Sequence, residues 1–389
     1  MNVLILYAKS TFEVRNRKSA LGAYIHCLAN LLSNEHSIFV NGIHISEIKQ
    51  ESPALSSGKK GSGFSSYIPA FVKNIRRDNI LFAGHHKLAD ELSASSARFD
   101  IIIEFYSYGS AVGTTLKKKW HIPLISVIDA PVIDEFEHFH GKKYVNRTKI
   151  IRNENATINL SDAVIAYSNP MKDYVLSRCS RPVAVYVHQN IDFSRFETCT
   201  TNKPVSPVNI CFIGSFLKWH KVDFLLDGFE EVCKKTKAEL RLYLVGEGME
   251  YENVKKYAAG LPCASRIIFT GYKDGVTLQE LKCNMHIGIM PGSNWYGIPN
   301  KLFEYLAADM LVLAPATPSI YDVFANHGVE LFKTGDAADF ENKLEHMVLE
   351  YETLYEKNKP RVREFIGKYT SEHTKTLYLD LIKKATNTK

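Results

Sequence analysis

The chain has 389 residues, 45% of them hydrophobic, 23% charged and 11% aromatic, with a formal net charge of +6. That length suits two domains with sizeable cores, and the balance excludes disordered and fibrous classes. The positive charge is too weak to argue for nucleic acid; it suits an enzyme that handles anionic substrates or works beside an anionic membrane. The seven cysteines are odd in number and scattered, with no CxxC pair. This predicts a reducing compartment, no disulfide framework and no zinc site. The opening MNVLILYAKS reads as a first buried strand rather than a leader, and no stretch approaches transmembrane length. The expectation is a cytoplasmic protein, at most peripheral at the inner face of the membrane.

In chain order, short apolar β-branched runs alternate with helical patterns. They fall at Val3–Tyr7, Ile38–Ile43, Ile101–Tyr106, Leu124–Ile128, Val164–Tyr167 and Val183–Val187. Ser19–Leu32 has helical spacing, with Leu21, Ile25, Leu28, Leu31 and Leu32 on one face. Ser56–Ser66 is a Gly-, Ser- and Lys-rich loop that lacks the ending of a phosphate-binding P-loop. Tyr67–Arg77 reads either as a basic amphipathic helix resting on a membrane or as a helix with a solvated basic face. Glu197–Pro207 is polar, proline-bearing and aperiodic, a linker and one hinge for domain closure. The alternation then restarts at Ile210–Ile213, Leu242–Val245, Ile267–Phe269, Ile287–Met290, Leu311–Leu313 and Glu330–Phe332. Continuous apolar strands separated by helices predict parallel sheets covered on both faces. The predicted fold is therefore α/β, two doubly wound Rossmann-like domains facing across a cleft. Residues 1–196 form the first, 197–207 the linker and 208–369 the second, with a C-terminal helix over 370–389 bracing the first.

Two segments carry chemistry. ICFIGSFLKWHKVDFLLDGF, Ile210–Phe229, is a strand ending at Gly214, a short turn and a helix. Glycine there permits close backbone approach, and the helix start offers N–H groups to phosphate; one glycine alone also fits an ordinary turn. IGIMPGSNWYGIPNKLFEYLAADMLVLAP, Ile287–Pro315, is a strand, a loop through Asn294, Tyr296 and Gly297, and a helix entered through Pro299 and Asn300. Lys301 and Glu304 share one helical face. The cation would hold a diphosphate and the carboxylate ribose hydroxyls; the alternative is a surface Lys–Glu pair.

Four blocks in order, GSFLKWHKVDFLLDGF, LRLYLVGEG, RIIFTGY and IPNKLFEYLAA, make the C-terminal half similar to the retaining glycosyltransferases of family 4, which have the GT-B fold. IPLISVIDAPVIDE, DAVIAYSNPMKDYV and HQNIDFSRF resemble the same family more loosely in the first half. Ile191 stands in the last where glycine is usual.

The resemblance implies a nucleotide-diphosphate sugar as donor substrate, no cofactor, no metal, and transfer to a glycan or lipid-linked acceptor with retained anomeric configuration. Bacterial surface-polysaccharide assembly is the implied setting. Glu304 matches the second glutamate of the family's paired motif. The first glutamate's position is Tyr296, so backbone groups of 293–297 are the natural substitutes. Ser215 and His220 stand where the family often has arginine and lysine. Lys218, Lys221 and Lys301 are left to supply charge, Lys301 foremost. Gly246, within the second block, and Tyr272, at the end of the third, complete the donor set. The family's first-domain histidine falls near Asp129, which either orients a sugar hydroxyl or is a turn residue before Pro131. Asp129 and Glu304 are thus the catalytic candidates, and Glu104 and Glu135 the acceptor-side ones. A nucleotide-sugar epimerase or a sugar-binding protein that has lost transfer are the rival readings.

Overall fold

A computed structural model describes residues 1–8, 14, 20–48, 70–140, 144–189, 191, 199, 203, 206–273 and 275–387. The loop Ser56–Ser66, the start of Tyr67–Arg77 and most of Glu197–Pro207 lie outside them. The chain forms two compact units, Met1–Asp192 with Ser371–Lys389, and Phe193–Thr370.

The first unit runs β1 (Asn2–Leu6), α1 (Ala20–Leu32), β2 (Ser37–Val40), β3 (Ile43–His44), α2 (Ala70–Ala94), β4 (Ile101–Phe105), α3 (Val112–Trp120), β5 (Leu124–Ile128), α4 (Val132–His140), α5 (Arg147–Leu160), β6 (Ala163–Ala166), α6 (Asn169–Ser177) and β7 (Ala184–Val187). Its sheet has the order β3-β2-β1-β4-β5-β6-β7, parallel except for β3. The expected single strand Ile38–Ile43 is in fact a hairpin. Asn41 and Gly42 take φ +47° and +86°, the left-handed pair that a two-residue hairpin requires.

Successive β1 residues serve opposite layers, as a pleated strand dictates. Val3 and Ile5 join α1 residues Tyr24, Ile25 and Leu28 in one core, and Leu4 and Leu6 join Leu92, Phe99 and Leu116 in the other.

The second unit runs β8 (Val208–Ile213), α7 (Val222–Lys235), β9 (Leu240–Val245), α8 (Tyr251–Ala258), β10 (Ile267–Gly271), α9 (Gly275–Cys283), β11 (Ile287–Ile289), α10 (Asn300–Ala307), β12 (Leu311–Pro315), α11 (Pro318–Phe324), β13 (Val329–Phe332), α12 (Ala337–Leu349) and α13 (Tyr351–Gly367). Its sheet order is β10-β9-β8-β11-β12-β13, and every pairing is parallel. The last helix, α14 (Ser371–Asn387), returns to the first unit, where Tyr378, Leu381 and Ile382 are buried in the α1 core.

One cysteine expectation is corrected. Cys199 and Cys283 are joined by a disulfide, with Cα atoms 5.2 Å apart across 84 residues of chain. Such a pairing is set by tertiary approach, which cysteine spacing does not reveal.

Candidate functional site

In the second unit the chain builds outward from β8 to β10 and then crosses to β11 on the other side of β8. That reversal is where ligands bind in open parallel sheets, outside the carboxyl ends of the strands. The pairing thins at this place. β8 pairs β9 along its whole length, but β11 only at Ile210 and Cys211. Phe212 and Ile213 run past β11, and the Ile213 N–H needs another acceptor. The Tyr305 hydroxyl of α10 accepts it at 2.8 Å. Tyr305 reaches that far because its ring lies on Gly288 of β11, where a Cβ would collide with it. The C-terminal half of α10 is thereby fastened to the end of β8.

Glycines let the strand ends close up. The Gly214 N–H donates to Val245 O and the Gly246 N–H to Gly271 O, both at 2.9 Å. Gly246 has φ +126°, and a Cβ there would run into the Gly214 carbonyl. A Cβ at Gly214 would strike the Lys301 Nζ.

Lys301 is the centre of this group. Its side chain is only half-buried, but Nζ is sealed and has no hydrogen-bond partner among the described residues. It lies 4.4 Å from the Phe212 ring centre. Burial pulls its pKa down to about 7, opposed by the charge of Glu304. A buried cation without a hydrogen-bond partner is costly, and an arriving anion relieves that cost. Pro299 caps α10 without a side-chain hydrogen bond, so the first-turn N–H groups add to the same anion-binding end. Asn300 opens that turn. Glu304, one turn on, is 7% exposed. Its Oε2 is 3.7 Å from the Nζ of Lys282, a buried lysine of α9.

The loop before α10 is internally braced. The Gly297 N–H donates to Asn294 Oδ1 at 2.5 Å, and the Ser319 N–H holds Trp295 O at 3.1 Å. Tyr296, at the position of the missing glutamate, is buried with its ring edge-on to Trp295.

Across the group, His220 Nδ1 donates to the Ser215 carbonyl at 2.5 Å. Burial and the charge of Lys301 push its pKa down to about 3, so this ring is a neutral donor and carries no clamp charge. Ser215, Lys218 and Lys221 are exposed, and Lys221 leads into α7 at φ +50°. Tyr272 is 58% exposed after the edge strand β10, two strands from β8. The fold gathers Gly214, Gly246, His220, Lys301 and Glu304, and leaves Tyr272 apart.

Two residues of this site escaped sequence reasoning. Lys282 sits on a helix with no motif around it. Tyr305 had two signals: its i+4 spacing from Lys301, and Gly288 inside a strand, which marks close approach by another group.

The first-unit candidates separate. Glu104 is fully buried in β4 and serves the start of α3: Ser110 Oγ donates to it at 3.1 Å and the Gly113 N–H at 3.4 Å. Burial raises its pKa to about 7. Asp129 follows β5 and Glu135 lies in the first turn of α4, both partly accessible. Their charges act together on Tyr7 and Tyr108. Among the described residues, no cluster of three or more His, Cys, Asp or Glu side chains is placed to hold a metal ion.

The family described as Glycosyl transferases group 1 matches residues 207–350, most of the second unit. An uncharacterized glycosyltransferase of Methanocaldococcus jannaschii, MJ1069, is 25% identical over 120 residues. That stretch covers 29% of this chain and 30% of the relative's length. Among solved structures, Anabaena Alr3699/HepE in complex with UDP superposes with a TM-score of 0.71 at 12% identity, covering 99% of this chain and 100% of that one. The sucrose-phosphate synthase of Thermosynechococcus elongatus gives 0.68 at 16% identity, covering 99% and 100%. The lipopolysaccharide outer core galactosyltransferase WaaB gives 0.67 at 16%, covering 99% of both. The chain therefore has the GT-B fold, two Rossmann-like doubly wound units, and its second unit carries the group 1 glycosyltransferase match.

Proposed function

We propose that this chain transfers a sugar from a nucleotide-diphosphate sugar to a hydroxyl of a glycan or lipid-linked acceptor, with retention and without a metal. The observation that carries the reading is the Lys301 Nζ, sealed against Gly214 with no hydrogen-bond partner among the described residues, at the switch point of the second sheet. In the reaction the bond from the anomeric carbon to the diphosphate oxygen breaks and a bond to the acceptor oxygen forms. The acceptor proton passes to the departing nucleoside diphosphate. Lys301 and the α10 N-terminus hold that leaving group, and a preorganised cation is effective because charge develops there in the transition state. Glu304 receives the ribose hydroxyls, with Lys282 orienting its carboxylate from 3.7 Å. Asp129 orients a sugar hydroxyl at the first unit. The likeness to WaaB, a lipopolysaccharide outer core galactosyltransferase, supports cell-surface polysaccharide assembly as the setting.

No helix among the described residues is long and apolar enough to cross a membrane. Peripheral contact belongs to the same proposal: on α2, Val72 and Ile80 are 48% and 57% exposed beside exposed Lys73 and Arg76.

A binding protein without transfer is the second reading, favoured by neutral His220 and by Tyr296 in place of a carboxylate. Thermal-shift screening with UDP-, GDP- and dTDP-sugars identifies the donor, and product analysis on an acceptor panel separates the two readings. Turnover of that donor with Lys301→Ala and Glu304→Ala both at wild-type rates would overturn the site.

A further inference from the structure

The Cys199–Cys283 disulfide lies at the end of the second unit opposite its anion-binding groups. Cys283 is the last residue of α9, which feeds the amino end of β11, whereas Lys301 stands beside the carboxyl end of β8. Cys199 comes ahead of β8. Close to it in sequence, Lys203 Nζ donates to the carbonyls of Ala308 and Asp309 at 3.0 and 2.8 Å. A cation at that place complements the C-terminus of α10. One short stretch of chain is therefore bound covalently to α9 and by hydrogen bonds to α10.

Lys282 carries the connection on. It precedes Cys283, it is buried, and its Nζ lies 3.7 Å from Glu304 Oε2 in the middle of α10. Lys203 and Lys282 also act on one group of β8: burial pushes the Cys211 thiol up to about 12, and the two charges oppose the rise. The disulfide, the end of α9 and the Glu304 carboxylate thus form one continuous set of contacts. Either charge of the buried pair left alone is costly, so the pair follows the end of α9 when it moves. Asn209 Nδ2 holds the Asn284 carbonyl at 2.9 Å, so opening the disulfide loosens this end without releasing it.

Both cysteines are partly accessible, and the Gln279 amide nitrogen lies 3.7 Å from Cys283 Sγ and 4.0 Å from Cys199 Sγ. A donor there favours the thiolate, the form that attacks or leaves in disulfide exchange. We propose that Cys199–Cys283 is a reversible redox site that sets how firmly the donor site holds a ribose: closed, it fixes Lys282 and Glu304; opened, it loosens them. This rests on Glu304 serving the ribose, as proposed above. Opening is an exchange with a dithiol. One of its thiolates attacks a sulfur, the S–S bond breaks and a mixed disulfide forms. Its second thiolate then displaces the cysteine, leaving two cysteine thiols and an oxidised dithiol. In closing, the cysteines pass two electrons and two protons to glutathione disulfide, which becomes two glutathione thiols.

The test uses the full chain, closed with glutathione disulfide or opened with dithiothreitol, its state read by alkylation and mass spectrometry. Calorimetry then measures UDP, GDP and dTDP, and inorganic pyrophosphate as a ligand without a ribose. A nucleotide that binds should bind about tenfold more weakly to the opened chain, the loss expected for a weakened hydrogen bond to a charged group. Pyrophosphate should bind equally to both. Cys199→Ser with Cys283→Ser should match the opened form in either buffer. Lys282→Met should remove the redox difference in nucleotide affinity while the closed form still melts higher, a split that a merely stabilising disulfide would not produce. Equal nucleotide affinity in the two states, an equal loss for pyrophosphate, a difference that survives Lys282→Met, or a disulfide that fails to form or to open in the folded chain would each overturn the proposal. Absence of nucleotide binding in both states would instead overturn the donor reading. The coupling is then judged by amide exchange of α10, which should be slower in the closed form, and unchanged exchange would overturn it.

Discussion

Binding of a nucleoside diphosphate to the second unit should take up a proton. In the free protein the Lys301 Nζ is sealed without a hydrogen-bond partner among the described residues, and its pKa is about 7. One pH unit higher, at pH 8, about nine-tenths of the chains hold it neutral. A diphosphate beside it favours the charged form, as an opposite charge does. The complex then binds about 0.9 proton more than its free components at pH 8, and about half a proton at pH 7. The ligand's own terminal phosphate has a pKa near 6 and adds little at pH 8. By linkage, affinity falls about tenfold per pH unit above 7 and levels off below it. Among the described residues, Glu304 and His220 are the titratable groups that act on Lys301, and His220, with its pKa near 3, stays neutral throughout. Calorimetry in buffers of different ionisation enthalpy reads the proton number directly. Lys301→Arg carries a permanent cation, so its uptake should drop to near zero even where the larger head weakens binding beside Gly214. An uptake below about 0.2 proton at pH 8 in the wild type, or the same uptake in the arginine variant, would refute the reasoning.

Three further outcomes are expected. Tyr305→Phe leaves the Ile213 N–H without its acceptor, so urea denaturation should show a loss of about 1–3 kcal/mol, with weaker donor binding as α10 loosens. Glu104 has a folded pKa of about 7 against an ordinary 4.5, so the native state binds more protons in that window and stability falls as pH rises through it. The penalty above pH 7 is about 3 kcal/mol, and Glu104→Gln should flatten this dependence when unfolding is followed from pH 4 to 8. Removing residues 371–389 strips Tyr378, Leu381 and Ile382 from the first-unit core. At about 2 kcal/mol for each buried side chain, that loss rivals a whole domain's stability, and circular dichroism should show the first unit melting early or not folding.

The fold was legible wherever one element carries its own evidence. Continuous β-branched runs located the strands because both faces of a parallel sheet are apolar. The run at 38–43 misled because Asn41–Gly42 turns within it, and an Asn-Gly pair is itself the hairpin signal. The Lys301–Glu304 pair was legible because three-residue spacing on a helix needs no tertiary knowledge. Lys282 was not, since its reach to Glu304 depends on α9 and α10 flanking the same strands. Glu104 read as a strand-end carboxylate, but whether such a group faces a ligand or the helix after its strand depends on how that helix packs. Gly113 settles it: lacking a Cβ, it leaves the room that the Glu104 carboxyl fills.

At the β8–β11 switch point the Lys301 Nζ is sealed beside glycines, with the carboxylate nearest it, Glu304, ion-paired to Lys282. A diphosphate is therefore stabilised there by charge. Lys301→Glu should abolish nucleoside-diphosphate binding outright, because it sets a carboxylate against the phosphates. Binding that survives this reversal would mean that the backbone N–H groups of the α10 start, and not the side-chain charge, hold the ligand.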